Sequence, residues 1–399
     1  MSRPRWLWIS AEVAVTEKTG LLVYSAGLSG ALAASGIDIT VVALGPAGVT
    51  RADVDLRVVP GELQGGWRSM LSSLPNVSYA CATPELRAAI AELLASERWD
   101  AVVFDHLQVG WAADLVPDGP EPTTIFVTHN HEGTVRMAVA REYAPWTPRG
   151  LVLRFDALKA ARLERRTAAR AAIITSITDA DRRLFERLAP TARHVTLSPG
   201  YRDPIRDRVP PMADRPRRVG IVGSFEWHVK QENLERFVTA ADPVLSANGI
   251  ELVIAGQLPA PFRERLQRLP SVDVVGWVDS VADFLDQCRI GLVAEPLGGG
   301  FKLKTLEYVA NRVPIASLTG GTEGLPLAAP DALIEAGSID ALVEAVVAAI
   351  DDPVRLESVA DEAIRLAAPM MRWEQQVTAL VDAVATSATR RGDRASEVE

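Results

Sequence analysis

The chain has 399 residues, 48% apolar and 23% charged, with a formal net charge of −9. That length suffices for two domains with separate cores, and that composition excludes a disordered chain. The negative balance excludes a general affinity for nucleic acid, and no apolar run approaches the ~20 residues that span a bilayer.

Two cysteines, Cys81 and Cys288, lie far apart in apolar surroundings and read as reduced, buried thiols. No zinc spacing is present, so no metal site is expected. The start of the chain carries no signal-peptide pattern, which predicts a cytoplasmic protein.

In chain order, residues 6–11 predict a buried strand and residues 12–20 a loop ending at Gly20. A Leu/Ala-rich helix follows at 21–35, then a strand at 37–44. Strand, loop, helix and strand in that order begin a parallel α/β sheet. The unit lacks GxGxxG, which argues against an NAD or FAD site; Gly20 at the helix entrance still allows a lighter phosphate contact. Further strands are predicted at 54–59, 77–81, 101–104 and 124–128, with a helix over 84–96. The strand TTIFVT runs into His129, Asn130, His131 and Glu132, at the carboxyl end where α/β folds bind ligands. His129 reads either as a hydrogen-bonded core or loop histidine or as an acid–base group in a cleft. Residues 133–170 predict helix, broken near Pro145 and Pro148. The stretch 154–170 carries a dense basic face, either solvated or in contact with an anionic membrane surface or acceptor. Strands are expected at 172–176 and 195–198.

Residues 200–218 are rich in Pro, Arg and Asp and read as an interdomain linker. The pattern then restarts. Strands are predicted at 219–224, 251–255, 272–275, 290–294, 313–317 and 332–334. Helices are predicted from about 231, and at 260–268, 280–287, 301–311 and 338–350. The domains are therefore placed at 1–200 and 218–368, joined by 201–217. A closing helix at 369–387 and a polar tail at 388–399 complete the chain.

The stretch EPLGGGFKLKTLEYVAN, residues 295–311, organises the second domain. Glycines let a backbone turn sharply and approach a ligand. The following helix start offers unpaired N–H groups, and Lys302 and Lys304 add charge, which together suggest a phosphate site. A surface loop with solvated lysines is the plainer reading. Only five lysines occur in the chain, at 18, 159, 230, 302 and 304, against 37 arginines. Three of the five fall in candidate anion sites, where a compact point charge suits phosphate.

These residues carry a resemblance. GSFEWHVKQEN, residues 223–233, is similar to the G-S-x-x-W-x-P-K-x-x-N segment of the retaining glycosyltransferase family 4, or group 1. That family includes sucrose synthase-like and mannosyltransferase enzymes. Residues 274–325 resemble its donor-binding core nearly end to end. Thr19–Gly20, THNHE at 128–132 and the closing helix near 371–384 match more loosely. The resemblance implies a GT-B fold, two Rossmann-like parallel-sheet domains facing a central cleft. It implies that Glu307 holds the donor ribose hydroxyls and that Lys230 binds the diphosphate as a catalytic group. By the same match Gly20, Gly299, Gly300, Phe301, Lys302 and Lys304 meet the diphosphate and sugar. Trp277 and Val278 would pack the nucleotide base, and His129 would lie near the reacting sugar as the second catalytic residue. One departure stands out. Many members carry two glutamates eight positions apart, and here the earlier position is Gly299; Glu295 lies twelve before Glu307.

The expected activity is transfer of a sugar from a nucleotide-diphosphate sugar to an acceptor hydroxyl, with retention, no cofactor and no metal. The acceptor, a natural product, glycan or lipid-linked molecule, is expected on the first domain. His131, Glu132 and Arg136 are acceptor candidates, with Trp111, Tyr143 and Trp146 as further lining. Peripheral membrane contact fits the same expectation, and nucleic acid does not. Competing readings are a catalytically inactive GT-B-like partner protein, a nucleotide-sugar epimerase and a nicotinamide-dependent oxidoreductase.

Overall fold

The computed structural model describes residues 3–13, 19–119, 121–295 and 300–396. The chain divides into two compact units, residues 1–200 with 373–399 and residues 201–372.

The first unit is built on strands β1 (Arg5–Glu12), β2 (Asp38–Gly45), β3 (Asp55–Pro60), β4 (Ala101–Asp105), β5 (Thr123–Val127), β6 (Ile173–Ser176) and β7 (Arg193–Thr196). All pair in parallel, in the order β3-β2-β1-β4-β5-β6-β7. The central strands β1 and β4 are buried along nearly their whole length, and largely apolar, because helices cover both faces. Helices α1 (Gly20–Ala34), α2 (Asn76–Cys81), α3 (Pro84–Ser96), α4 (Glu132–Arg141), α5 (Pro148–Arg170) and α6 (Asp179–Leu188) connect them. Thr19, Thr83, Thr147 and Thr178 each cap a helix with the side-chain oxygen, accepting an orphan N–H.

Residues 77–81, expected as strand, form α2 instead. Ser78 and Cys81 are buried three residues apart, a helical spacing that turns both toward the 3-10 turn at Leu107–Leu115. The Ser78 hydroxyl donates to Leu107 O at 2.9 Å and the Cys81 thiol to Gln108 O at 3.0 Å. The strand expected at 195–198 sits two residues earlier.

The second unit carries β8 (Arg218–Val222), β9 (Glu251–Ala255), β10 (Val272–Gly276), β11 (Ile290–Val293), β12 (Ile315–Leu318) and β13 (Ile334–Ala336). They too are parallel, in the order β10-β9-β8-β11-β12-β13. Helices α7 (His228–Ala247), α8 (Ala260–Leu266), α9 (Val281–Leu285), α10 (Lys304–Ala310), α11 (Ile339–Ala349) and α12 (Pro353–Ala367) complete it. Helix α7 begins three residues earlier than expected, so Lys230 lies in its first turn. Helix α10 begins three residues later, so Lys302 precedes it and Lys304 is its first residue.

Residues 201–217, which read as a linker by composition, pack on this unit. The Arg215 guanidinium is buried and donates to the carbonyls of Pro210 and Cys288, both at 3.0 Å. The last helix, α13 (Trp373–Ser396), belongs to the first unit. Its Trp373 ring fills the space that a Cβ would need at Gly27 and Gly200. Among the described residues, no helix is long and apolar enough to cross a membrane.

In each sheet the strand order reverses once, between β1 and β4 and between β8 and β11. At such a point the two following connections leave on opposite faces and open a crevice at the carboxyl ends of the strands.

Candidate active site

At the reversal point of the second unit, β8 leads into α7 and β11 leads into residue Glu295. Lys230, Glu295 and Lys304 line one small cavity with Phe225, Phe237 and Ala294. Glu295 pairs with Lys304 and stands 3.8 Å from Lys302. Burial disfavours the charged carboxylate, yet Lys304 and Lys302 outweigh it and hold Glu295 down to about 2. Burial also lowers Lys230 and Lys302, with the Glu295 charge opposing that shift in both. Three lysines from two chain segments thus act on the Glu295 carboxylate, and Glu323 acts on Lys302 as well. With the three lysines and two carboxylates ionised, one positive charge is left over in a low-dielectric setting, which suits an anion.

Glu307 is on α10 three residues beyond Lys304, on the same helix face. Its Oε2 accepts the Tyr201 hydroxyl at 2.8 Å, and burial raises its carboxyl. Gly300 has φ +83°, a backbone shape that suits glycine, and Phe301 is half-buried against the second unit's smaller apolar cluster. Gly299 lies outside the described residues. Trp277 and Val278 leave the end of β10 and line a different cavity, about 490 Å³, with Val275, Asp279 and Phe284. Among the described residues none lines both cavities, so Trp277 and Val278 border a space separate from the one lined by Lys230, Glu295 and Lys304.

At the reversal point of the first unit, β4 ends at Asp105 and β5 runs into Thr128 and His129. Asp105 is fully buried and accepts three bonds. Trp8 Nε1 donates at 3.0 Å, the Ser10 hydroxyl at 3.3 Å, and His129 Nε2 at 3.0 Å. With Nε2 so committed as a donor, Nδ1 is the ring's acceptor. Tyr24 packs edge-on to His129 at 4.9 Å. Gly20 is the exposed first residue of α1, capped by Thr19.

The three acceptor candidates are engaged internally. Glu132 accepts Arg136 Nε at 2.8 Å and contacts His106 Nε2 at 3.2 Å. Despite burial, His106 and Arg136 hold its carboxyl far below the usual range. Arg136 also donates to Asp156 at 3.3 Å. His131 caps α4, its Nδ1 accepting from Thr134 N at 3.3 Å. Glu164 accepts the N–H groups of Glu132 at 2.7 Å and Gly133 at 3.0 Å. Trp111, also offered as acceptor lining, is a core residue at 2% exposure with Arg87 stacked on its ring. Trp146 is exposed.

Asp105, His106, Glu164 and Tyr201 were not singled out by their sequence, and Glu295 was noted only by its place before Glu307. Asp105 and His106 carried a usable signal, because a polar pair follows the wholly apolar AVVF of β4, as THNHE follows β5.

Burial lowers the His129 pKa below its ordinary 6.5, so the folded chain keeps the ring neutral. The unfolded chain binds a proton near that pH and the folded chain does not. The first unit's stability from this group is therefore complete above about pH 6.5 and is lost as pH falls below it. Thermal unfolding of the first unit is expected to drop from about pH 7 to about pH 5, with a shallower slope in His129→Gln. Equal slopes would contradict this.

The family model of the glycosyl transferases group 1 matches residues 216–352, and that of the glycosyl transferase 4-like domain matches residues 19–200. No curated protein matches the chain. Among solved structures, a TarM mutant of S. aureus in complex with fondaparinux, alpha-GlcNAc-glycerol and UDP is 9% identical, with a TM-score of 0.69. That match covers 96% of this chain and 99% of the other. HepE of Anabaena in complex with UDP and glucose is 11% identical, with a TM-score of 0.65 over 96% and 100% of the two chains. An alpha,alpha-trehalose 6-phosphate synthase from Burkholderia multivorans is 14% identical, with a TM-score of 0.65 over 98% and 100%. At such identities the likeness is one of fold.

Proposed function

The chain belongs to the group 1 glycosyltransferases of GT-B fold, and on that premise we propose that it moves a hexosyl group from a nucleoside diphosphate sugar to an acceptor hydroxyl, with retention and without a metal. The observation that carries this is the convergence of Lys230, Lys302 and Lys304 on Glu295. A leaving diphosphate gains charge as the glycosidic C1–O bond breaks. Fixed cations in a buried pocket stabilise that charge without reorganising, and they supply what a metal would otherwise supply. Glu307 would accept the ribose hydroxyls, with Tyr201 holding its carboxylate in place.

In the retaining reaction, the acceptor oxygen bonds to C1 on the face that the phosphate leaves. The acceptor proton passes to a phosphate oxygen, so no enzyme nucleophile enters. A second reading rests on the Asp105–His129 pair of the first unit. A carboxylate holding Nε2 leaves Nδ1 able to take a proton from an acceptor hydroxyl, which is the base an inverting transfer needs. The acceptor is a natural product, glycan or lipid-linked molecule. Relatives of this fold crystallised with UDP make UDP-sugars the first donors to try.

Release of nucleoside diphosphate from a panel of nucleotide sugars tests the activity, and the product anomer by NMR tests retention. Glu307→Ala is expected to raise the donor KM about tenfold or more, through loss of a carboxylate acceptor for two hydroxyls. An unchanged KM would remove Glu307 from the donor site. An inverted anomer would move the assignment to the Asp105–His129 reading.

A further inference from the structure

The first unit leaves a concentrated apolar surface in water. Of the fourteen large apolar side chains that are exposed among the described residues, eight lie in two segments, 67–71 and 146–158. Trp67 is 68% exposed, Leu71 80% and Trp146 79%, values far from those of a packed core. Leu151, Phe155 and Leu158 add a stripe along α5 at spacings of four and three residues.

The two segments form one face. Lys159, on α5, is buried and donates to Ser69 O at 2.9 Å and to Met70 O at 3.1 Å, which fixes the 67–71 turn beside the helix. Asp156 accepts Asn76 N at 2.7 Å and ties the next stretch to the same helix. The turn is therefore held open to solvent by specific bonds.

The stripe changes character along the helix. Four and seven residues beyond Leu158 it continues as Arg162 and Arg165, both exposed. Arg68 projects from the turn and is exposed as well. Helix α5 has only two acids, and neither is presented with the stripe. Asp156 bonds Arg136, and Glu164 is buried against the N–H groups of α4. In a chain of net charge −9, this face is cationic and apolar together.

We infer that this face docks on an anionic lipid bilayer, with Trp67, Leu71, Phe155 and Leu158 entering the headgroup boundary and Arg162 and Arg165 meeting lipid phosphates. Apolar side chains next to cations, on a helix lying in the surface plane, match that boundary in both polarity and charge. A protein partner fits less well. A second copy would bring the same arginines, with no acid on the stripe to meet them. The inference concerns a surface of the first unit and stands apart from the transfer reaction.

Co-sedimentation of the full chain with vesicles tests it, using phosphatidylglycerol-containing and pure phosphatidylcholine vesicles. The wild type is expected to bind the anionic vesicles and to bind the neutral ones at least about tenfold more weakly. The triple variant Trp67→Ser, Leu71→Ser, Phe155→Ser is expected to lose at least about tenfold in vesicle affinity. Arg162→Glu with Arg165→Glu is expected to remove the preference for anionic lipid. All these side chains are exposed, so each variant should match the wild type in melting temperature and circular dichroism. Equal binding by wild type and variants, or no binding to either vesicle, would overturn the inference. A wild-type dimer that the triple variant breaks, without vesicle binding, would assign the face to a second copy and overturn it equally.

Discussion

Lys230→Ala is expected to lower kcat/KM for the nucleotide sugar by about 100- to 1,000-fold, with the fold intact. Lys230 lies in the first turn of α7, half-buried, beside Glu295 and Lys304. A cation placed there acts on the departing diphosphate at full strength, because water is largely excluded and the side chain is already oriented. Removing it leaves Glu295 opposed by two lysines where three now surround it, and the pocket's excess charge falls by one unit. The loss should appear in both kcat and the donor affinity, since the diphosphate is charged before and during bond cleavage. Steady-state kinetics on the purified variant check this, with circular dichroism as the folding control. A change within about threefold would take Lys230 out of the reaction.

Gly256→Ala is expected to destabilise the second unit by roughly 3 kcal/mol and to lower its melting temperature by roughly 10 °C. Gly256 follows β9 with φ +131°, a conformation an L side chain rarely adopts. A Cβ there would run into the Gly223 carbonyl, which is backbone and has nowhere to swing. Gly223 N donates to Ala255 O at 3.0 Å, Phe225 N to Gln257 O at 2.9 Å, and Gly256 N to Gly276 O at 2.7 Å. These bonds tie the carboxyl edges of β8, β9 and β10 together. Displacing them would also shift the turn that delivers Lys230, so donor binding should weaken along with stability. Gly337→Ala, where a Cβ meets nothing within 4 Å, is the neutral comparison. Equal melting temperatures for the two variants, by calorimetry, would show that the β8–β9 edge tolerates a side chain there.

The sheets were legible in the chain because buried parallel strands leave continuous apolar runs, as in VVAL of β2 and AVVF of β4. The lysine count pointed to the donor pocket for a chemical reason: the chain otherwise uses arginine. Glu295 was passed over because its partners depend on how the chain folds. Lys302 and Lys304 are near in sequence, but Lys230 comes from another βα turn 65 positions earlier. The position of Asp105 after an apolar strand was readable, but its role appears only when β1, β4 and β5 bring Trp8, Asp105 and His129 together. The misread strand at 77–81 reflects a helix of only six residues, Asn76–Cys81, with no room for either period to declare itself. The basic face of α5 was visible, but its apolar half gains meaning only once the turn at 67–71 is seen beside it. His131, Glu132 and Arg136 read as ligand-facing because they are polar and follow a strand. Folded, His131 caps α4 and Glu132 pairs with Arg136, which is how short helix starts at strand ends are commonly satisfied.

The proposed transfer requires a diphosphate to lie among Lys230, Lys302 and Lys304. Calorimetric titration of wild type and Lys230→Ala with uridine, guanosine and thymidine diphosphates measures that directly. At least one nucleotide should bind the wild type, and Lys230→Ala should bind it at least about tenfold more weakly at an unchanged melting temperature. Equal affinity in the two proteins would contradict the account.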